Sequence, residues 1–219
     1  MMVLDVRVLV LAKAPVAGRV KTRLCPPYTP EQAATLAAAA LADTLRAVGC
    51  SAASQRTLVL DGQPDLVTAA GFDVVEQSSG GLDERIAAAF AAHAASRMPQ
   101  LLVGMDTPQL TAGLLNQAMF ALLDSSIDAV IGPAEDGGYW AVGLRCPNAD
   151  AFVGVPMSRP WTYLAQRARF DRLGLRVATL PSMRDVDDVS DARCVADLAP
   201  STAFAAALRE MDDEVAALC

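Results

Sequence analysis

Lysine is nearly missing from this chain: of 219 residues only Lys13 and Lys21 carry an ε-ammonium, and the formal net charge is −7. That balance excludes the broad basic face on which a nucleic-acid backbone is bound. Histidine occurs once, as His93 in an Ala-rich stretch without cysteine or acidic neighbours, so a structural role is expected of it rather than catalysis or metal binding. The five cysteines are widely spaced and include no Cys-x-x-Cys pair, which argues against both a disulfide framework and a zinc site and points to a reduced, cytoplasmic protein. Long apolar runs are lacking too. The stretch Val8 to Ala12 has charge on both sides and is too short for a signal-peptide core, and Ala33 to Ala42 falls short of the roughly 20 residues of a membrane span, so no integral membrane segment is expected.

What the chain does contain is apolar residues, 53% of the total against 20% charged, enough to fill the core of one domain over residues 1–219. Val6 to Ala12 reads as a strand buried on both faces. Thr29-Pro30-Glu31 starts a helix that ends at Gly49. Further strands are expected over 57–61, 72–75, 100–104, 129–131, 139–144 and 176–180, with a helical piece between the second and third. Helices are expected over 82–97, from Thr111 to 123, from Ser158 to 173, in a short stretch after residue 191, and over 201–218. Strand and helix alternate throughout. That alternation predicts a three-layer α/β/α domain with a mostly parallel central sheet and ligands bound outside the carboxyl ends of the strands.

Both lysines fall in one loop after the first strand, together with Arg19, Arg23 and Gly18. Four cations and a flexible glycine in so short a segment suit a phosphate-bearing ligand. Asp106 follows the fourth strand and is kept out of the next helix by Thr107-Pro108. Glu135-Asp136-Gly137-Gly138 follows the fifth strand, where either acid could orient or deprotonate an acceptor hydroxyl. An acidic cluster, Asp185-Val186-Asp187-Asp188, follows the last strand. Carboxylates at two such strand ends can share a hard divalent cation, Mg²⁺ or Mn²⁺, that bridges nucleotide phosphate oxygens. Arg159, Arg167, Arg169 and Arg172 spread around a helix as solvated faces, Arg159 alone standing near the helix start where it could meet an anionic acceptor.

The loop from Ala12 to Leu24, the segment Gly104-Met105-Asp106-Thr107-Pro108-Gln109-Leu110, and Gly132-Pro133-Ala134-Glu135-Asp136-Gly137-Gly138-Tyr139-Trp140 together resemble the bacterial DUF2064 family of glycosyltransferase-like proteins, over roughly residues 6–198. The resemblance implies the GT-A fold of the nucleotide-diphospho-sugar transferase superfamily. The basic loop is also similar to that of guanylyltransferases acting on phospholactate and phosphoenolpyruvate. By these resemblances Lys21 and Arg23 hold nucleotide phosphates, where the basic loop itself adds Lys13, Gly18 and Arg19 as expected phosphate contacts, and Asp106 and Asp187 match the superfamily's metal carboxylates. Two positions depart from the pattern: Gly104 replaces the first acid of Asp-x-Asp, and Gly80-Gly81-Leu82-Asp83-Glu84-Arg85 stands where the family has Gly-Asp-Leu-Gly-Glu-Arg. The expected activity is metal-dependent transfer from a nucleotide-sugar to a small acceptor, with Glu135 or Asp136 as base. Nucleotidyl transfer from an NTP to a phosphorylated acceptor is the alternative, and a non-catalytic nucleotide-binding module a further one.

Overall fold

The computed structural model describes residues 2–217 apart from 64–66 and 68. Seven strands, β1 (Leu4–Lys13), β2 (Ala53–Asp61), β3 (Asp73–Glu76), β4 (Gln100–Gly104), β5 (Ala129–Pro133), β6 (Tyr139–Leu144) and β7 (Val177–Thr179), form one sheet in the order β3-β2-β1-β4-β6-β5-β7. Every neighbouring pair is parallel except those involving β6, which runs antiparallel to both β4 and β5. The reversal has a simple cause: only residues 134–138 join β5 to β6, too few for the crossover that a parallel pair needs.

The helices are α1 (Pro30–Gly49), α2 (Leu82–Ala91), α3 (Ala112–Leu123), α4 (Thr162–Arg172), α5 (Val189–Leu198) and α6 (Ala203–Ala217). Alternate residues of β1 serve opposite faces. Val6, Val8 and Val10 join a core with α1 and α3, whereas Leu9 joins a second core with Ile86 and Phe90 of α2 and Phe170 of α4. The expected α/β/α layering is therefore present. A third core lies outside α1, where Ala33, Leu36 and Ala40 meet Val195 of α5 and Phe204 and Leu208 of α6. Small alanines let the helices approach closely there. The buried Asp43 of α1 accepts hydrogen bonds from the N–H groups of Ala203 (3.1 Å) and Phe204 (2.8 Å), so its carboxylate serves the otherwise unpaired donors at the start of α6.

Two helix boundaries differ from the sequence expectation. The first helix starts as expected, with Thr29 and Gln32 forming a reciprocal capping box. The helix expected to reach Arg97 ends at Ala91, followed by a separate helical turn over Ala94–Ser96 and a left-handed Arg97 at φ 52°. The helix expected from Ser158 begins four residues later at Thr162, because Ser158 itself is left-handed at φ 55° and cannot be the extended cap. The helical piece expected between β2 and β3 falls largely on residues 64–66 and 68, and the last residue of the expected terminal helix is 218, all outside the described residues.

The reversed strand packs tightly where α3 crosses it. A Cβ on Gly143 would stand 2.7 Å from Leu122 Cδ1, 2.9 Å from Val130 Cγ2 and 3.0 Å from the Gln100 carbonyl oxygen. Gly143→Ala should therefore destabilise the fold by about 1–3 kcal/mol, as overpacking does. Chemical denaturation should show a lower midpoint with an unchanged slope.

Candidate functional site

A cleft of about 890 Å³ opens at the carboxyl edge of the sheet, above the ends of β1 and β4 and the start of β6. Its first wall is the loop after β1. Gly18 turns that loop at φ 73° without lining the cleft, and Lys21 is left-handed at φ 49° ahead of a helical turn over Thr22–Leu24. Leu24 is fully buried in the core outside α1, which anchors the loop's far end. The Lys21 side chain, only 9% exposed, reaches Asp106 Oδ1 at 2.5 Å and also donates to the Val186 carbonyl. Arg23 lies 2.8 Å from Asp187 Oδ2. Lys13 and Arg19 line the cleft, are exposed, and have no ion-pair partner among the described residues.

The opposite wall is acidic. Val186 is fully buried beside Leu24 and Tyr28, and its N–H donates to the Asp106 carbonyl at 2.9 Å. Its neighbours Asp185 and Asp187 both line the cleft, as residues flanking an inward-pointing side chain do in extended chain. Asp136 arrives from the β5–β6 turn, and one oxygen of each of Asp136, Asp185 and Asp187 lies within 4.8 Å of the others. Burial, reinforced by the charges of Asp136, Asp187 and Asp106, pushes the Asp185 carboxyl up to about 6.

This redraws the expected metal pair. Asp187 lies with Asp136 and Asp185, whereas the Asp106 carboxylate is taken by Lys21. The three acids fit a hard divalent cation: the donors are all carboxylate oxygens, Asp185 is raised by burial and then by its acidic neighbours, and of the nearby cations Lys21 is taken by Asp106 while Arg23 reaches Asp187 alone. Lys21, expected to hold phosphate, is likewise committed to protein groups.

Glu135 does not enter the cleft. Its carboxylate pairs with Arg184 at 2.6 Å and lines a separate depression of about 560 Å³, so the expectation that it acts as base loses its geometric footing. Asp136 does enter. Its Oδ1 accepts from the Gly138 N–H at 2.7 Å, and Gly137, at φ 91°, lies so close to the 156–162 segment that a Cβ there would stand 2.0 Å from the Pro160 carbonyl oxygen. The Gly-Gly pair thus docks the turn as well as reversing the chain.

On the β1–β2 side, Gln77 donates to the Ala12 and Val59 carbonyls, and Arg85 holds the Gly80 carbonyl at 3.0 Å and Asp61 at 3.3 Å. Asp83, where the resembling family has glycine, accepts from the Gly154 N–H at 2.7 Å and ties α2 to the segment before α4. Tyr139 and Trp140 both line the cleft. The Trp140 ring packs into the core and donates to the Pro181 carbonyl at 3.0 Å. Burial, with the Asp83 charge adding, pushes the Tyr139 hydroxyl up. His93 is only partly buried and stands outside the cleft.

Asp185 makes a testable contribution to stability. Its folded-state value of about 6 exceeds the ordinary 3.8, so the native state binds more protons than the unfolded chain between these values. Stability therefore falls as pH rises from the lower value through the upper one, and the penalty persists above it. In chelator-containing buffer, Asp185→Asn should remove that slope and, after discounting for solvent screening of a partly exposed acid, raise stability at neutral pH by about 1 kcal/mol. Thermal unfolding of both proteins across this pH range measures it.

Comparison with proteins of known structure places these features. No curated protein matches the chain. A Desulfovibrio desulfuricans protein provisionally described as a nucleotide-diphospho-sugar transferase is similar at 27% identity, with 98% of this chain and 97% of that one covered and a TM-score of 0.86. A CMP:2-keto-3-deoxy-manno-octonic acid synthetase complexed with CTP (10% identity, 89% and 98% covered, TM-score 0.59) shares the fold. So does a cytidylyltransferase from Leptospira borgpetersenii (11%, 96% and 95% covered, TM-score 0.57). The fold is thus that of the nucleotide-diphospho-sugar transferases, as the sequence motifs led one to expect. A family profile described as an uncharacterized protein conserved in bacteria matches residues 34–159, more than half of the sequence, and the chain belongs to that family, DUF2064.

Proposed function

We propose that this protein is a metal-dependent transferase that takes a nucleotide-sugar as donor and passes the sugar to a small acceptor. The observation that carries the reading is the facing of a three-carboxylate group by two uncommitted cations, Lys13 and Arg19, in one cleft at the carboxyl edge of the sheet. It is supported by the likeness to the Desulfovibrio protein, whose description names the same class.

In this reading Lys13 and Arg19 bind the diphosphate oxygens of the donor, a role that suits exposed cations beside a turn. Asp185 and Asp187, with Asp136 in reach, hold Mg²⁺ or Mn²⁺. The cation, when bound, neutralises charge building on the departing nucleoside diphosphate. Lys21 acts indirectly by fixing Asp106 and the Val186 backbone, and with them the direction of the two flanking acids. Asp136 is the base: Gly138 holds its Oδ1, leaving Oδ2 to take the acceptor hydroxyl proton.

One observation favours a second reading, nucleotidyl transfer. Glu135 stands outside the cleft, so Asp136 alone would have to serve both cation and acceptor. Attack by an acceptor phosphate on the α-phosphorus of an NTP needs no base, and pyrophosphate leaves. The two separate by product: nucleoside diphosphate from a sugar donor, or pyrophosphate from an NTP.

Thermal-shift titration with nucleoside diphosphates, with and without Mn²⁺, tests what both readings share. Asp187→Asn should weaken Mn²⁺-dependent nucleotide binding about 10–100-fold, the equivalent of one charge-assisted contact of about 1.5–3 kcal/mol. Cation-independent binding, or full binding by the variant, would refute the cation site. Asp136→Asn should slow sugar transfer by about 10²-fold or more if the carboxylate is the base, measured as release of nucleoside diphosphate.

A further inference from the structure

We infer that the acceptor carries an anionic group, a phosphate or a carboxylate, and that Arg159 is the residue that recognises it. The inference rests on the transferase reading above and names its acceptor class.

Arg159 lines the cleft, is exposed, and its guanidinium makes no hydrogen bond or ion pair with any described residue. The other arginine lining the cleft outside the β1 loop differs: Arg85 is spent on Asp61, Gln77 and the Gly80 carbonyl. An arginine left free in this way usually lies over solvent, but the backbone beneath this one is held at both its N–H and its carbonyl. Its N–H donates to Thr162 Oγ1 at 3.0 Å, its carbonyl accepts from the Thr162 N–H at 3.0 Å, and the buried Thr162 hydroxyl in turn donates to the Pro156 carbonyl at 3.0 Å. The preceding Ser158, also in the cleft, is left-handed at φ 55°, a conformation that costs a non-glycine residue energy and that surrounding structure has to impose. A solvated arginine needs no such support.

The segment also sits against the acids. Gly137 and Pro160 are in backbone contact, and Asp136 and Arg159 each stand one residue before that contact. The Gly137 carbonyl further accepts from the Tyr163 N–H at 2.9 Å. Arg159 is thereby tied to the β5–β6 turn, whereas Lys13 and Arg19 belong to the loop after β1. β4 separates β1 from β6 in the sheet, so the two cationic stations rise from different parts of its carboxyl edge. One station suits the donor's diphosphate. The other, beside the residue assigned as base, suits a charge on the acceptor, and an arginine fork matches phosphate or carboxylate oxygens in pairs.

Direct binding tests this without requiring turnover. Calorimetric titrations with glycerol 3-phosphate, glycerate and glycerol, in buffer without nucleotide, should show saturable binding of one or both anions and none of glycerol. Arg159→Met should weaken anion binding by about tenfold or more, Arg159→Lys by less, and both should leave nucleoside diphosphate binding with Mn²⁺ within about twofold. Preference between glycerol 3-phosphate and glycerate identifies which anionic group is read. The inference is overturned if neither anion binds saturably, if Arg159→Met leaves anion binding unchanged, or if it weakens nucleoside diphosphate binding equally. Anion binding that depends on Arg159 in a protein that binds no nucleotide would sink the transferase reading alone.

Discussion

The geometry of the cleft depends on one buried cation. Lys21 binds the Asp106 carboxylate and the Val186 carbonyl at once, and so joins the loops that follow β1, β4 and β7. The link is doubled by the backbone, since the Val186 N–H bonds the Asp106 carbonyl. An ammonium that is 9% exposed has surrendered most of its hydration, and only these oxygens replace it. Asp106, at 44% exposed, keeps part of its own hydration, so the pair's larger consequence is positional. Without it the acidic segment would be held by the packing of Val186, its backbone bond to Asp106 and the exposed Arg23–Asp187 pair.

That packing has its own consequence. Val186 is fixed in the core that Leu24, α1, α5 and α6 share, so the flanking Asp185 and Asp187 have no choice but to face outward into the cleft. There they meet Asp136. Three carboxylates within 4.8 Å repel one another, and the fold tolerates this because a hydrophobic side chain and a lysine, rather than the acids themselves, determine where the chain runs. Burial, with these neighbouring charges adding to it, shifts the Asp185 carboxyl upward.

The layers and most strands were legible from the sequence, because β1, β4 and β6 are apolar runs whose burial on both faces leaves little ambiguity. The boundary of α4 was not, since nothing local announces that Ser158 adopts φ 55°. Among site residues, the loops that meet in the cleft could be named in advance, but their internal assignments could not. Asp185 carried a signal, its position two residues before Asp187 around an apolar valine, and the alternation of extended chain would have placed both acids on one side. Lys21 and Glu135 carried none. Whether a lysine serves a ligand or a neighbouring aspartate, and which of two adjacent acids turns toward Arg184, is decided by residues more than forty positions away.

The antiparallel strand explains why so much chemistry gathers at one place on the sheet edge. In a parallel sheet each strand offers only its carboxyl end to the ligand, and the chain must then leave by a helix. Because β6 is reversed, its beginning lies at the same edge as the end of β5, and the whole 134–138 turn stays within the site. Asp136 is delivered by that turn, Tyr139 and Trp140 line the cleft as β6 begins, and Gly137 presses on Pro160, which holds Arg159 in place. A five-residue connection thereby fixes the carboxylate wall and the second cationic station relative to each other. Lys13 and Arg19 sit on a different loop, tied to that wall through Lys21. The two halves of the cleft are thus joined by the Lys21–Asp106 and Arg23–Asp187 ion pairs and by the hydrogen bonds at Val186, and a ligand that bridges Lys13 and Arg19 to the carboxylates would bridge the same two halves.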